Sequence, residues 1–271
     1  MGKNIYGNKE DYSVRFHKVS HPREGMSEVR DDGFVRLLYS DTLGDAFNIC
    51  HEMVHKFSNP KNQASTIKQF LGETSTICVE FLLKDYLISN GEYCSDEILK
   101  NKNNRLIFFT YDDAGSMIFE HSLLQLYKMN NHCITEDILV NYLDSIDKDT
   151  KLHRLMVHRG IRYLNEIVVS GHLNFPQRQR YVIGTILASD FHHKIEKDSK
   201  KIEQLFHLID ILGHTDLSVD DDLKVLETLD IPIVKNGQLS ISEEDIIRLS
   251  NCYKKEVEDV MYYKNENSHV I

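Results

Sequence analysis

The segment Asn48 to Phe57 reads N-I-C-H-E-M-V-H-K-F, with His51 and His55 four residues apart and Glu52 directly after the first. In a helix, the two imidazoles lie one turn apart on one face, so both can reach a single ion. Neutral imidazole is a good zinc ligand, and a hydrolytic zinc site uses three protein ligands and keeps a place for water. Glu52 falls about 100° round the helix, beside that face, where its carboxylate can take a proton from water held on zinc and deliver it to a leaving amine. That is the chemistry of a zinc endopeptidase. At the His and Glu frequencies of this chain, H-E-x-x-H arises by chance in about one sequence in twenty, so a third ligand has to support it.

Two downstream glutamates qualify, Glu73 and Glu80, in L-G-E-T-S-T-I-C-V-E-F-L-L. Seven residues apart, they share one face of a second helix. A carboxylate from an antiparallel neighbour would complete a His-His-Glu site, and the other could orient a ligand imidazole from behind. Spacing alone does not choose between them. His17 and His21 repeat the four-residue interval, but no Glu follows His17 and Pro22 comes next. His192 and His193 are adjacent and point to different sides of a helix.

These residues need elements to position them. Residues 1–32 are polar and glycine-dotted and are expected to form an irregular arm. Phe34 to Ser40, F-V-R-L-L-Y-S, is the best strand candidate, bounded by D-D-G and S-D. Ser40 or Asp41 offers an N-cap for a helix to about Phe57. A second helix is expected from about Ala64 to Ser89, with Phe70, Ile77, Phe81, Leu82 and Tyr86 on its apolar side and Asn90–Gly91 closing it. Further helices are expected over about Leu106–Lys128, from a Thr135 cap, and over Arg154–Val169, Arg180–Lys197, Lys201–Gly213, Asp220–Leu229 and Ser242–Tyr263. The fold expected is mostly α, one helical domain over residues 33–265 with a small β element before the zinc helix.

Composition agrees with a soluble globular chain: 271 residues, 41% hydrophobic, 27% charged, four prolines and no tryptophan. A net charge of −10 argues against a nucleic-acid partner. Five cysteines at irregular spacings, with no C-x-x-C pair, indicate neither a disulfide framework nor a zinc knuckle. No apolar run reaches the roughly 18–20 residues that span a bilayer, and the N-terminus has no apolar signal core. The expectation is a chain made in the cytoplasm with no membrane partner, compatible with export by a route that needs no cleaved signal.

The stretch S-D-T-L-G-D-A-F-N-I-C-H-E-M-V-H resembles the approach to the active site in oligoendopeptidase F and its thimet oligopeptidase relatives. G-E-T-S-T-I-C-V-E-F-L-L-K-D-Y-L is similar to their third-ligand helix. Supporting likenesses lie in I-F-F-T-Y-D-D-A-G-S-M-I-F-E-H-S, H-L-N-F-P-Q-R-Q-R-Y-V-I-G-T-I-L-A and L-F-H-L-I-D-I-L-G-H-T-D-L-S, so that the resemblance runs from about His21 to Val260. It implies a zincin-like helical catalytic domain in which Glu73 is the third zinc ligand beside His51 and His55, and Glu80 a supporting residue. It also implies that His172 and Tyr181 match the histidine and tyrosine that hydrogen-bond the tetrahedral oxyanion.

The chain departs from that family at three points. Val54 stands where the family has glycine before the second histidine. Gln177, Arg178 and Gln179 occupy a shorter loop where tyrosines are expected. Only the family's catalytic half is matched. The expectation is therefore an open cleft that accepts longer peptides or a specific protein target, as in a secreted effector-type protease, with the Phe34 to Tyr39 strand as the edge on which substrate pairs. The rival expectation is a catalytically silent metallopeptidase-like protein that only binds a partner.

Overall fold

A computed structural model describes residues 14–20, 28–29, 34–58, 66–91, 93–107, 113–131, 133–145, 179–214 and 219–266. Most of these are helical. Their contacts cluster into two compact units, Met1–Asn103 with Gly184–Ile271, and Asn104–Ile183.

The first unit opens on a small sheet. Strand β1 is Val14–Lys18, β2 is Glu28–Val29 and β3 is Val35–Tyr39, in the order β1-β3-β2. β1 runs parallel to β3, pairing Val14 with Val35 and Lys18 with Tyr39, while β2 runs antiparallel to it, pairing Glu28 with Arg36. Two expectations are corrected here. The lead-in expected as an irregular arm supplies two strands, and β3, expected as a substrate-pairing edge, is the central strand with a neighbour on each side. A parallel partner reaches β3 only through the intervening chain, so this pairing is non-local and leaves no mark in the local pattern of β3 itself. β3 buries Val35 and Leu37 on one face, with Leu38 also covered, and shows Arg36 to solvent.

Helix α1, Leu43–Ser58, follows directly. Its start is organised by Asp45, whose Oδ2 accepts from the backbone N–H of Thr42 (2.7 Å) and Ser40 (2.9 Å) and from the Thr42 hydroxyl (3.0 Å). The cap therefore lies at Thr42, one or two residues later than expected, because Asp41 takes a left-handed backbone (φ 59°). Helix α2, Thr66–Asn90, ends at Gly91 with φ 70°, the left-handed C-terminal stop that N-G suggested.

α1 packs against α2, β2 and β3, and also against α7, Ile202–His214, which in turn packs on α2. α2 is therefore covered on all sides from Phe70 to Cys78. It emerges only later, so Tyr86, expected on the apolar side, is 60% exposed. Helix α3, Ser95–Ile107, places Ile98 against Phe47 of α1 and Leu87 of α2. Helix α6, Gln179–Lys197, α8, Val219–Thr228, and α9, Glu243–Glu266, supply the rest of the described helices of this unit from Gly184 onward. Between α8 and α9 lies a hairpin of β4, Val234–Lys235, and β5, Gln238–Leu239, turned by Asn236–Gly237 with positive φ at both positions.

The second unit holds helices α4, Asp113–Met129, and α5, Glu136–Ser145. They meet around Phe119, Leu123 and Leu139, with Tyr142 and Leu143 against them. Thr135 caps α5 by accepting from the Ile138 N–H. No helix among the described residues is long and apolar enough to cross a membrane.

Candidate metal centre

His51 and His55 lie one turn apart on α1, with His51 buried and His55 half-buried. Their rings meet edge to face, centroids 4.7 Å apart, and bring the two Nε2 atoms to 3.1 Å. Opposite them on α2, Glu73 places Oε2 3.4 Å from Nε2 of His51 and 3.5 Å from Nε2 of His55. His51, His55 and Glu73 thus form a group whose donor atoms could share one metal ion. Four donors at about 2.0–2.1 Å from a tetrahedral zinc are separated by about 3.3–3.4 Å. The three separations observed bracket that length.

Glu80 takes a different place. Two turns further along α2, its Oε1 meets Nδ1 of His51 at 2.8 Å, the side of the ring away from Glu73. With Nδ1–H donated to Glu80, it is Nε2 of His51 that faces the centre and that offers its lone pair once the ring is neutral, the usual carboxylate–histidine support of a metal ligand. The two glutamates that spacing could not tell apart are told apart by which ring nitrogen each one faces.

The electrostatics of the centre fit a cation. Burial alone would depress the pKa of His51, but its hydrogen bonds to Glu73 and Glu80 and their charges win and raise it to about 9. Burial likewise opposes charge on Glu73, yet the imidazoles of His55 and His51 hold its carboxyl below the usual carboxylate range. Without metal a proton does the neutralising; a metal ion that displaces it meets two imidazoles and a carboxylate.

Two glycines set how closely the surrounding helices approach. At Gly184, on α6, a Cβ would stand 2.7 Å from Cβ of Glu73 and 3.2 Å from the backbone N of Thr74, so α6 leans on α2 at Glu73 only because that position has no side chain. At Gly213, on α7, a Cβ would overlap the carbonyl oxygen of Phe57. Val54 is half-buried and its carbonyl accepts from the Ser58 hydroxyl (3.0 Å). The close helix approaches beside this centre are thus made at Gly184 and Gly213.

Glu52 follows His51 on α1 and is half-buried. Tyr181 lies in the first turn of α6, in the second unit, where its hydroxyl accepts from Arg180 (2.9 Å). His172, with Gln177 and Arg178, lies outside the described residues. The oxyanion role of His172 and Tyr181 accordingly rests on the resemblance alone. His17, in β1, is exposed on a strand and shares no helical face with another histidine.

A second group, Asp85, His192 and Glu196, also gathers potential donors. Its charges are already met. Nδ1 of His192 bonds Glu256 of α9, and Nε2 bonds Asp85 of α2 at 2.7 Å. Lys84 stands 3.3 Å from both Asp85 and Glu256, and Lys255 reaches Glu196 at 2.6 Å. Three carboxylates face an imidazolium and two ammonium groups. Burial would depress His192, but Asp85 and Glu256 outweigh it and lift its pKa to about 9. A divalent ion would have to displace that proton beside two lysines, so this group reads as an ion-pair network joining α2, α6 and α9. The adjacency of His192 and His193 hid it, because its partners are far off in sequence.

Comparison with known proteins returns no family model, no curated protein and no solved structure that matches the chain. The likeness to oligoendopeptidase F rests on the quoted residues.

Proposed function

We propose that this chain is a zinc-dependent endopeptidase with a zincin-like catalytic domain, related to the oligoendopeptidase F group. The observation that carries the reading is the spacing of three donors, His51, His55 and Glu73, with Glu80 behind His51. Glu73, His51 and His55 would hold the ion. Zinc in such a site lowers the pKa of bound water towards ~7 and polarises a carbonyl.

The chain's own groups supply the rest. Glu80 fixes the His51 ring so that Nε2 would be the atom offered to the ion. Glu52, next to His51, takes the proton of the attacking water and returns it to the departing amine. His172 and Tyr181 are the candidate donors to the oxyanion, in keeping with the resemblance. The substrate class is a longer peptide or an exposed segment of a protein.

The test is Glu52→Gln, which keeps the size and polarity of the side chain and removes its basicity. It should bind zinc as the wild type does and lose cleavage of a peptide library by at least ~100-fold. Retained cleavage would sink the mechanism. Zinc binding by both proteins with cleavage by neither would favour a silent, partner-binding relative.

A further inference from the structure

We infer that Lys102 is a positioning residue for the metal centre, acting through Glu80; the inference rests on the zinc reading above. Lys102 sits one turn after Ile98 on the buried face of α3 and is 1% exposed. A lysine ammonium is seldom buried this fully unless it is paired, because desolvating the charge is costly. Here Nζ lies 2.9 Å from Oε2 of Glu80. It also stands over the ring of Phe81 at 4.3 Å and near that of Phe47 at 5.8 Å.

Glu80 is therefore shared. Oε1 faces Nδ1 of His51 and Oε2 faces the ammonium of Lys102, with Glu80 itself fully buried. The row runs from Lys102 through Glu80 and His51 to the donor triangle. Geometry gives Lys102 two roles. It holds the carboxylate in the orientation in which Oε1 receives Nδ1–H, so that His51 presents Nε2. It also sets a buried ammonium beside Oε2, on the side of Glu80 away from His51, which draws the carboxylate away from direct ligation and leaves Glu73 as the single carboxylate donor. Phe47 and Phe81 exclude water from the pair, which strengthens it.

The test compares zinc affinity, by competition with a chromophoric chelator, in wild type, Lys102→Met, Lys102→Arg, Glu80→Gln and the Glu80→Gln/Lys102→Met double variant. The visible spectrum of the cobalt-substituted proteins serves as a readout of ligand geometry. Lys102→Met should weaken zinc binding by about 10- to 100-fold, the range typical for partners of metal ligands, and alter the cobalt bands. Lys102→Arg should restore most of both. The double variant should bind zinc within about twofold of Glu80→Gln, because without the carboxylate Lys102 has nothing to act through.

Unchanged affinity in a folded Lys102→Met protein would overturn the inference. So would a further tenfold loss in the double variant, which removes both buried charges and remains informative if Lys102→Met alone does not fold. A wild-type protein that binds no zinc would instead overturn the metal site itself.

Discussion

At the residue scale, the two glutamates of α2 carry the sharpest consequence. Glu73 faces the Nε2 ends of both histidines and Glu80 faces Nδ1 of His51, so they should fail differently. Glu73→Ala should abolish stoichiometric zinc after dialysis, since it removes one of three donors. Glu80→Ala should leave a site that still fills, weakened by about 10- to 100-fold. Metal analysis of the two variants checks this, and the reverse order would exchange their roles. The histidine pair and its glutamate were legible in the sequence because H-E-x-x-H is local to one helix. Assigning Glu73 and Glu80 was not, since both lie on one helical face and only the opposing imidazole distinguishes them. Lys102 was illegible for a related reason. In S-D-E-I-L-K-N-K-N-N-R-L-I it looks like one more surface lysine, and nothing local marks it as the partner of a carboxylate on another helix.

At the element scale, the tight point is the crossing of α6 on α2 at Gly184. Gly184→Ala places a methyl 2.7 Å from Cβ of Glu73, against backbone that cannot rotate aside. The helices must part, which costs about 1–3 kcal/mol of stability and moves Glu73 with its helix. Urea unfolding and zinc competition should both register the change. A neutral Gly184→Ala would show that the crossing has room for a methyl group. The helices that position the centre, α1, α2, α6 and α7, were foreseen to within a few residues, α1 from its capping residues, α2 from its N-G stop and all four as long proline-free runs. Three features escaped. β1, V-R-F-H-K, is a strand only because β3 offers it a parallel partner, and four of its five residues are exposed. α3 has few apolar residues, and Lys102 interrupts its buried stripe. The β4–β5 hairpin was signalled by N-G in V-K-N-G-Q-L but is too short to show alternation.

At the scale of the whole molecule, the His192 network gives stability a pH signature. The folded pKa of His192 is raised from its ordinary 6.5 to about 9 by Asp85 and Glu256, with Lys84 balancing the second charge on that side. Its contribution is therefore complete below about pH 6.5 and fades as pH rises through 9, on the order of 3 kcal/mol in all. Unfolding free energies of the zinc-loaded protein should fall across that window, and His192→Gln should flatten the fall. An unchanged slope in the variant would show that His192 is not the titrating group. Of the molecule as a whole, the sequence showed a mostly helical build but not the grouping of contacts into two units. That grouping depends on which helices meet, and helix–helix choice is written in three-dimensional fit rather than in local periodicity.

The proposed peptidase chemistry depends on the ligands of one metal ion. X-ray absorption at the zinc edge of the zinc-loaded protein tests them directly. It should show a shell of nitrogen and oxygen at about 2.0–2.1 Å with the outer-shell scattering of two imidazoles, and that signal should disappear with Glu73→Ala. Sulfur scattering at about 2.3 Å, which would bring in a cysteine such as Cys50, or a protein that retains no zinc, would contradict it.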